Sequence, residues 1–209
     1  MAPRFIARQL SRPSGFFGVV IRHMMNRHNA RMNAFAVRQL ELESSDRVLE
    51  IGFGGGVTLP SLLNTATFVA GVDRSSDVID WAQRRFSKPI KAGRAEFRQG
   101  NVEALPFATA AFDKACTVNT VYFWTSLDAG FAEIHRVLKP RGRVVVGFLP
   151  KERMDRMGMP KDIFTTRAPR DVVEALTRAG FSDARIERPE SHTPWTVIVA
   201  TRWARGQTV

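Results

Sequence analysis

The sequence is poor in cysteine, in clustered metal ligands and in long apolar runs. Its only cysteine, Cys116, cannot form an internal disulfide, and its apolar setting predicts a buried strand thiol rather than a nucleophile. The histidines have no cysteine partners and are scattered over the chain, so we predict no metal site; they are His23, His28, His135 and His192. No run approaches the roughly 20 apolar residues of a transmembrane helix. We therefore expect a cytoplasmic protein, either free or peripheral to a membrane.

Negative charge is missing from the first 40 residues. The whole chain carries 31 basic and 20 acidic residues, a formal net charge of +11. The only charged side chains before Glu41 are arginines, at positions 4, 8, 12, 22, 27, 31 and 38. Three interpretations remain open for this basic arm: a targeting segment, a helix lying on anionic membrane, or an ordered cap whose arginines face water. We predict a basic helical cap over residues 1–46 and a single domain over residues 47–209.

A glycine-rich loop follows the first apolar strand of the domain. The strand Arg47–Ile51 includes one carboxylate, Glu50, and four of the next five residues are glycine. Glycines permit positive φ angles and leave backbone N–H groups accessible to a ligand. The spacing is not G-x-G-x-x-G, because Val57 occupies the sixth place, and no Gly-Lys-Ser/Thr of a P-loop follows. The loop therefore indicates a polar small molecule other than a dinucleotide or nucleoside triphosphate.

A carboxylate ends the second predicted strand. Phe68–Val72 is apolar and is followed by Asp73. In α/β sheets, a carboxylate at this position accepts hydrogen bonds from ribose hydroxyls. We predict that Asp73 is the ribose ligand.

Four segments in order carry a family resemblance: Glu50–Gly56, Gly71–Asp73, Gly100–Phe107 and Glu133–Pro140. Together they resemble class I S-adenosylmethionine-dependent methyltransferases of the small-molecule and lipid branch (type 11-like), over roughly Arg47 to Phe148. The resemblance implies an α/β fold: a three-layer, Rossmann-like sheet of seven mostly parallel strands, with an antiparallel last strand and a helical N-terminal cap. It also implies S-adenosylmethionine as cofactor and S-adenosylhomocysteine as product.

The resemblance assigns a set of cofactor-binding residues. Asn101 lies at the position where a polar side chain of the family, usually aspartate, contacts the adenine. The alternative is that Asn101 only forms a turn. The full set is Glu50, Gly52, Gly54, Gly56, Asp73, Asn101, Val102 and Asn119.

An aromatic run after the fourth strand predicts the acceptor pocket. Asn119 and the following residues leave the carboxyl end of that strand, where α/β sheets present their ligands. Aromatic faces suit a sulfonium or ammonium cation. We predict that Tyr122 and Trp124 bind substrate; plain packing is the alternative for Phe123 and Trp124.

No general base is identified from the sequence, although His23, His28 and Tyr122 are candidates. In the resembled family the leading segment folds over the cofactor. This would bring several polar residues near the acceptor: His23, Asn26, His28, Asn29 and Asn33. The alternative is that they lie on a solvent-exposed face of a helix.

Two later segments lack regular patterns. Lys139–Gly142 has proline second and glycine fourth, which predicts a type I turn. Leu149–Arg167 is interrupted by prolines and a glycine and is rich in methionine, so it predicts a functional loop or lid, with core filling or disorder as alternatives.

The predicted reaction is in-line transfer of a methyl group to an N, O or S atom of a small or lipid-like acceptor, with anionic membrane as a candidate peripheral partner. A nucleic-acid or protein methyltransferase is a second hypothesis, although no nucleic-acid-binding module is recognisable. A non-catalytic cofactor-binding module is a third. The acceptor and the oligomeric state stay open.

Overall fold

A computed structural model describes residues 29–189 and 193–203 of the chain. Its helices are α1 (Ala30–Gln39), α2 (Leu59–Thr65), α3 (Ser76–Arg85), α4 (Ser87–Lys91), α5 (Leu127–Val137), α6 (Lys151–Arg156) and α7 (Pro169–Arg178), with a 3-10 turn at Val121–Phe123. Its strands are β1 (Arg47–Ile51), β2 (Phe68–Asp73), β3 (Ala95–Gln99), β4 (Phe112–Val118), β5 (Leu138–Phe148), β6 (Phe181–Glu187) and β7 (Thr196–Arg202).

The seven strands form one sheet in the order β3-β2-β1-β4-β5-β7-β6. Strands β1 to β5 pair in parallel, whereas β7 runs antiparallel to both β5 and β6. The predicted sheet and its antiparallel last strand are confirmed. The order along the sheet reverses between β1 and β4, and ligands of such sheets bind outside the carboxyl ends of the strands beside that point.

Helices cover both faces of the sheet, which explains why its central strands are apolar throughout. On one face, Leu49 and Ile51 of β1 belong to an apolar cluster with residues of α5 and α7. On the other face, Val48 belongs to a cluster with residues of α1, α2 and α3. The three-layer arrangement therefore agrees with the predicted fold class.

Helix α1 precedes β1 in the sequence and packs on the sheet against β4, β5 and β7. Met32 and Ala36 are fully buried, and the ring of Phe35 lies 5.4 Å from that of Trp195. Arg143 donates a hydrogen bond to the carbonyl of Gln39 at 2.9 Å. The arm before residue 29 lies outside the described residues, so its three interpretations stay predictions. Within residues 29–189 and 193–203, none of the helices combines the length and apolar character needed to cross a bilayer.

The predicted turn Lys139–Gly142 lies within β5, where the pairing with β4 shifts register, and it differs from its predicted type. Arg141 has a φ of +65°, whereas the third residue of a type I turn needs a negative φ. The prediction of a type I turn was therefore wrong. Arg141 has a Cβ atom, so its left-handed backbone conformation is sterically strained.

We expect Arg141→Gly to raise the free energy of unfolding by about 0.5–1 kcal/mol, since the relieved left-handed strain exceeds the entropy that glycine loses on folding. Urea denaturation of the two proteins measures the difference. Gly142→Ala is the opposing control, because its Cβ would lie 2.7 Å from the carbonyl oxygen of Lys139. A decrease in stability for Arg141→Gly would contradict the assignment of strain to this position.

The segment Leu149–Arg167, which includes α6, packs against the 3-10 turn Val121–Phe123. Thr165 donates from its backbone to the carbonyl of Tyr122 at 3.0 Å, and the ring of Phe164 lies 5.0 Å from that of Phe123. Met154 is buried in the core. Core filling therefore accounts for this methionine, while Met157 remains exposed.

Candidate functional site

A cavity of about 590 Å³ opens at the carboxyl edge of β1, β2 and β4. Its wall combines the glycine loop, the ends of three strands, the aromatic turn and the start of α1. It is lined by Asn29, Asn33, Glu50, Ile51, Gly52, Phe53, Gly54, Gly55, Val57, Val72, Asp73, Arg74, Gln99, Gly100, Asn101, Val102, Val118, Asn119, Thr120, Phe123, Trp124 and Thr125. Of the eight predicted cofactor residues, Gly56 alone is missing from this wall.

The three predicted glycines have different surroundings. At Gly52 the φ is +68° and an added Cβ would lie 2.4 Å from the Thr120 methyl group. Gly54 also has a positive φ, +47°, but an added Cβ would meet no atom within 4 Å. Gly56 lies behind the cavity wall, where a Cβ would come within 2.9 Å of the Trp81 ring. Gly54 therefore faces open space, whereas Gly56 allows close packing.

Asp73 is held at the end of β2 by backbone donors. Its Oδ2 accepts from the Gly54 N–H and its Oδ1 from the Ser75 N–H, each at 3.0 Å. Burial raises the pKa of Asp73 above its ordinary value, and these two N–H groups oppose the increase. Each carboxylate oxygen has a second lone pair, so the side chain can still accept hydrogen bonds from a ligand.

Glu50 is a buried carboxylate on the cavity wall with one unpartnered oxygen. Its Oε1 accepts a hydrogen bond from the Thr58 hydroxyl, but its Oε2 has no hydrogen-bond partner among the described residues. Burial raises the pKa of Glu50 to about 7, a rise that the Thr58 hydrogen bond opposes and the negative charge of Asp73 reinforces. A buried oxygen without a partner is costly. The site is therefore complementary to a ligand that brings a cation or a hydrogen-bond donor.

Asn101 and Val102 line the cavity beyond β3. Asn101 forms an isolated backbone bridge with Ala104, and its Oδ1 accepts from the Glu103 N–H at 3.4 Å. The Gly100 N–H donates to the Asp73 carbonyl at 3.0 Å, which holds this loop beside β2. Asn101 thus makes a turn and borders the cavity as well.

Asn119 adopts a left-handed backbone, with φ +59°, at the end of β4. Its N–H donates to the Gly147 carbonyl at 2.8 Å, and its Oδ1 accepts from the Tyr122 hydroxyl at 3.1 Å. Asparagine tolerates this backbone conformation better than most residues. The side chain is therefore fixed within the cavity wall.

Tyr122 lies behind the cavity rather than in it. The side chain is buried, and its hydroxyl donates to Asn119 and accepts from the Leu149 N–H. Burial raises the pKa of Tyr122, which keeps the phenol protonated. This placement corrects the expectation of a pocket residue, and it does not favour Tyr122 as a general base.

Aromatic rings form one wall of the cavity. Phe53, Phe123 and Trp124 all border it. The Trp124 Nε1–H donates to the Thr120 hydroxyl at 3.2 Å, which fixes the indole, and the guanidinium of Arg74 lies 5.5 Å from the centre of the Phe123 ring. Trp124 therefore both packs and lines the cavity.

The beginning of α1 forms one side of the cavity. Asn29 and Asn33 are one helical turn apart, joined by a backbone hydrogen bond of 2.9 Å, and both border the cavity. His23, Asn26 and His28 lie outside the described residues. Arg74, Gln99 and Thr125 also line the cavity and were not predicted, although each lies within two residues of a predicted site residue: Asp73, Asn101 or Trp124.

The sheet order, the glycine loop after β1 and the carboxylate at the end of β2 are the features expected of a class I S-adenosylmethionine-dependent methyltransferase. Residues 49–146 match the family described as "Methyltransferase domain", which supports this class of enzymes.

Comparisons with individual proteins agree with this class. The uncharacterized methyltransferase YdaC of Bacillus subtilis is 28% identical over 167 residues, 79% of this chain and 87% of that protein. A fatty-acid O-methyltransferase of Mycolicibacterium smegmatis is 32% identical over 121 residues. The chain spans about half the length, or somewhat less, of several other curated relatives. The structure of geranyl diphosphate C-methyltransferase from Streptomyces coelicolor has the same fold, with a TM-score of 0.70 and 17% identity, covering 84% of this chain and 78% of that chain.

Proposed function

We propose that this cavity holds S-adenosylmethionine and that the chain transfers its methyl group to a small or lipid-like acceptor. The observation that carries the proposal is Glu50, a buried carboxylate that lines the cavity and whose Oε2 has no hydrogen-bond partner among the described residues. The methionyl ammonium of the cofactor would supply the missing cationic donor. Asp73 would accept from the ribose hydroxyls, and Asn101 and Val102 would border the adenine.

When bound, the cofactor supplies a methyl group already activated on a sulfonium. The chain then has mainly to hold the acceptor in line with that methyl group and to exclude water, and such positioning can supply about 7–11 kcal/mol of the barrier. Phe123 and Trp124 provide aromatic surface for this. Tyr122 would act as a positioning residue, because its hydroxyl holds Asn119 in the wall.

The acceptor site would lie between α1 and the aromatic turn. Asn29 and Asn33 approach from one side, and Phe123 and Trp124 from the other. Relatives named as a fatty-acid O-methyltransferase and a ubiquinone/menaquinone biosynthesis C-methyltransferase support a small or lipid-like acceptor. The basic residues of the cap would favour an anionic acceptor or surface. His23 and His28 remain candidates for the base that removes a proton from the acceptor.

The direct test is incubation with methyl-labelled S-adenosylmethionine and an extract of the source cells. Label in the organic phase would identify a lipid-like acceptor, and label in small aqueous molecules a soluble one. Label in the macromolecular fraction would contradict the proposed acceptor class and favour a nucleic-acid or protein methyltransferase. Cofactor binding without labelling of any fraction would favour a non-catalytic module.

Gly54 offers a test of where the cofactor lies. We expect Gly54→Ala to weaken the binding of S-adenosylmethionine by about tenfold or more, since an added methyl group would occupy the space through which a ligand reaches the loop backbone. The left-handed backbone should cost about 1–2 kcal/mol of stability. Calorimetric titration measures the affinity.

Gly93→Ala is the matched control for this experiment. Gly93 has a φ of +68°, and an added Cβ there also meets no atom within 4 Å, but this residue lies outside the cavity. Gly93→Ala should lose similar stability and retain the affinity of the wild type. Equal affinities in the two variants would show that the cofactor does not approach Gly54.

A further inference from the structure

A second groove, of about 350 Å³, lies at the same edge of the sheet. It is bounded by α6, by the beginning of α7 and by the chain that enters β7. Its lining residues are Pro150, Glu152, Arg153, Arg156, Pro169, Arg188, Thr193, Pro194 and Thr196.

The groove concentrates positive charge. Arg153, Arg156 and Arg188 all line it, against a single carboxylate, Glu152. The nearby Asp155 is paired with Lys151 at 2.6 Å and Glu187 with Arg185 at 2.7 Å, so these carboxylates have other cationic partners.

The three guanidinium groups have spare hydrogen-bonding capacity. Arg188 reaches the Thr196 hydroxyl only at 3.5 Å, and none of the three forms an ion pair with another residue in the described part of the chain. Each guanidinium carries five N–H donors in a planar fork that matches the oxygens of an oxyanion. Bringing several like charges together is unfavourable unless an anion joins them.

We propose that this groove binds a phosphate or diphosphate group carried by the methyl acceptor. A single carboxylate would neutralise one guanidinium, whereas a phosphate or diphosphate carries several oxygens and more than one negative charge, as a cluster of three arginines requires. The inference rests on the proposed function, because it assigns the groove to the acceptor of the same reaction.

The register of the sheet fixes the distance between the two sites. Asn119, in the cofactor cavity, follows β4, whereas Thr196, in the groove, begins β7. Only β5 lies between these strands, so two strand spacings, about 10 Å, separate the sites. Pro150 enters the groove directly after Leu149, whose N–H contacts the Tyr122 hydroxyl. A phosphate in the groove would therefore lie on the order of 10 Å from the edge of the cofactor cavity, close enough for one small acceptor to reach both.

Titration with inorganic pyrophosphate tests the groove itself. At constant ionic strength, we expect the wild type to bind pyrophosphate and Arg153→Gln/Arg156→Gln to bind it about tenfold more weakly or worse, with a similar loss for Arg188→Gln. Arg84→Gln, which removes an exposed arginine of α3 outside the groove, is the matched control and should bind like the wild type. Absence of binding to the wild type, or equal weakening by Arg84→Gln, would overturn the proposal.

A parallel titration with S-adenosylmethionine separates this inference from the proposed function. Because the arginines lie outside the cofactor cavity, Arg153→Gln/Arg156→Gln should keep the wild-type affinity for the cofactor. A wild type that binds pyrophosphate but not S-adenosylmethionine would refute the proposed function and leave an anion site. The reverse result would refute only the groove.

Vesicles distinguish the source of the phosphate. Binding to phosphatidylcholine vesicles would be compared with and without phosphatidic acid, for the wild type and Arg153→Gln/Arg156→Gln. An increase caused by phosphatidic acid in the wild type alone would support a lipid phosphate. Pyrophosphate binding without such a difference would support a soluble phosphorylated acceptor.

Discussion

Asp73→Ala is expected to weaken the binding of S-adenosylmethionine by about 100-fold or more, because each hydrogen bond to a carboxylate contributes roughly 1.5–3 kcal/mol and the ribose would lose two. Activity at limiting cofactor should fall in proportion, while activity at saturating cofactor should fall less. Calorimetric titration gives the affinity, and initial rates at varied cofactor concentration give the ratio of KM to kcat effects.

Asp73 also holds the glycine loop, so the experiment needs a variant that preserves this contact. Alanine leaves the N–H groups of Gly54 and Ser75 without their present acceptor. Asp73→Asn removes the charge but keeps one acceptor oxygen, which can serve the Gly54 N–H, so it should retain the loop contact better than alanine does while still losing affinity. Asp80→Ala, on the exposed side of α3, controls for loss of a carboxylate. Unchanged affinity in both Asp73 variants would refute the ribose assignment.

Glu50→Gln is expected to change stability and cofactor affinity in opposite directions. Glutamine keeps an acceptor for the Thr58 hydroxyl but removes a buried charge that lacks compensation. The variant should therefore unfold less readily than the wild type above neutral pH, and it should bind S-adenosylmethionine about tenfold or more weakly, because the ammonium loses its anionic partner.

The stability gain should depend on pH in a defined direction. The pKa of Glu50 is raised from 4.5 to about 7 in the folded protein, so the folded state retains a proton that the unfolded chain releases. The associated stability is complete below pH ~4.5 and is lost as pH rises to about 7, with a total near 3 kcal/mol.

The stability difference between Glu50→Gln and the wild type should be close to zero at pH 4. It should grow to about 3 kcal/mol above pH 7. Denaturant unfolding at several pH values, without cofactor, measures it. A difference that is constant with pH would show that Glu50 does not titrate in this range, and a saturating amount of cofactor should reduce the difference by lowering the pKa of Glu50.

The regular part of the fold was predictable because hydrophobic pattern and turn residues agree there. The sequence places β1 at Arg47–Ile51, and the observed bounds are the same; the predicted Phe68–Val72 is one residue shorter than the observed β2. The position of Asp73 on the cavity wall was predictable because its place at a strand end follows from the pattern alone. These features depend on local sequence and on the rule that parallel strands present their carboxyl ends at one edge.

Other features depend on backbone angles and side-chain directions that residue types do not reveal. The 3-10 turn directs Val121 and Tyr122 into the core and leaves Phe123 and Trp124 at the cavity, so Tyr122 was assigned to the wrong side of the wall. Arg141 shows no sign in the sequence of its positive φ. The unpartnered oxygen of Glu50 likewise becomes visible only when its surroundings are known.

The contact between α1 and β7 has a consequence for biosynthesis. Phe35, near the beginning of the described chain, packs against Trp195, which immediately precedes the last strand. Strand β5, on which α1 also rests, is flanked by β7 in the finished sheet. The packing of α1, which contributes Asn29 and Asn33 to the cavity wall, can therefore be complete only after the ribosome has released residues up to β7. Translation products that end before Trp195 should lack this packing, and weaker retention on an immobilised cofactor analogue would report its loss.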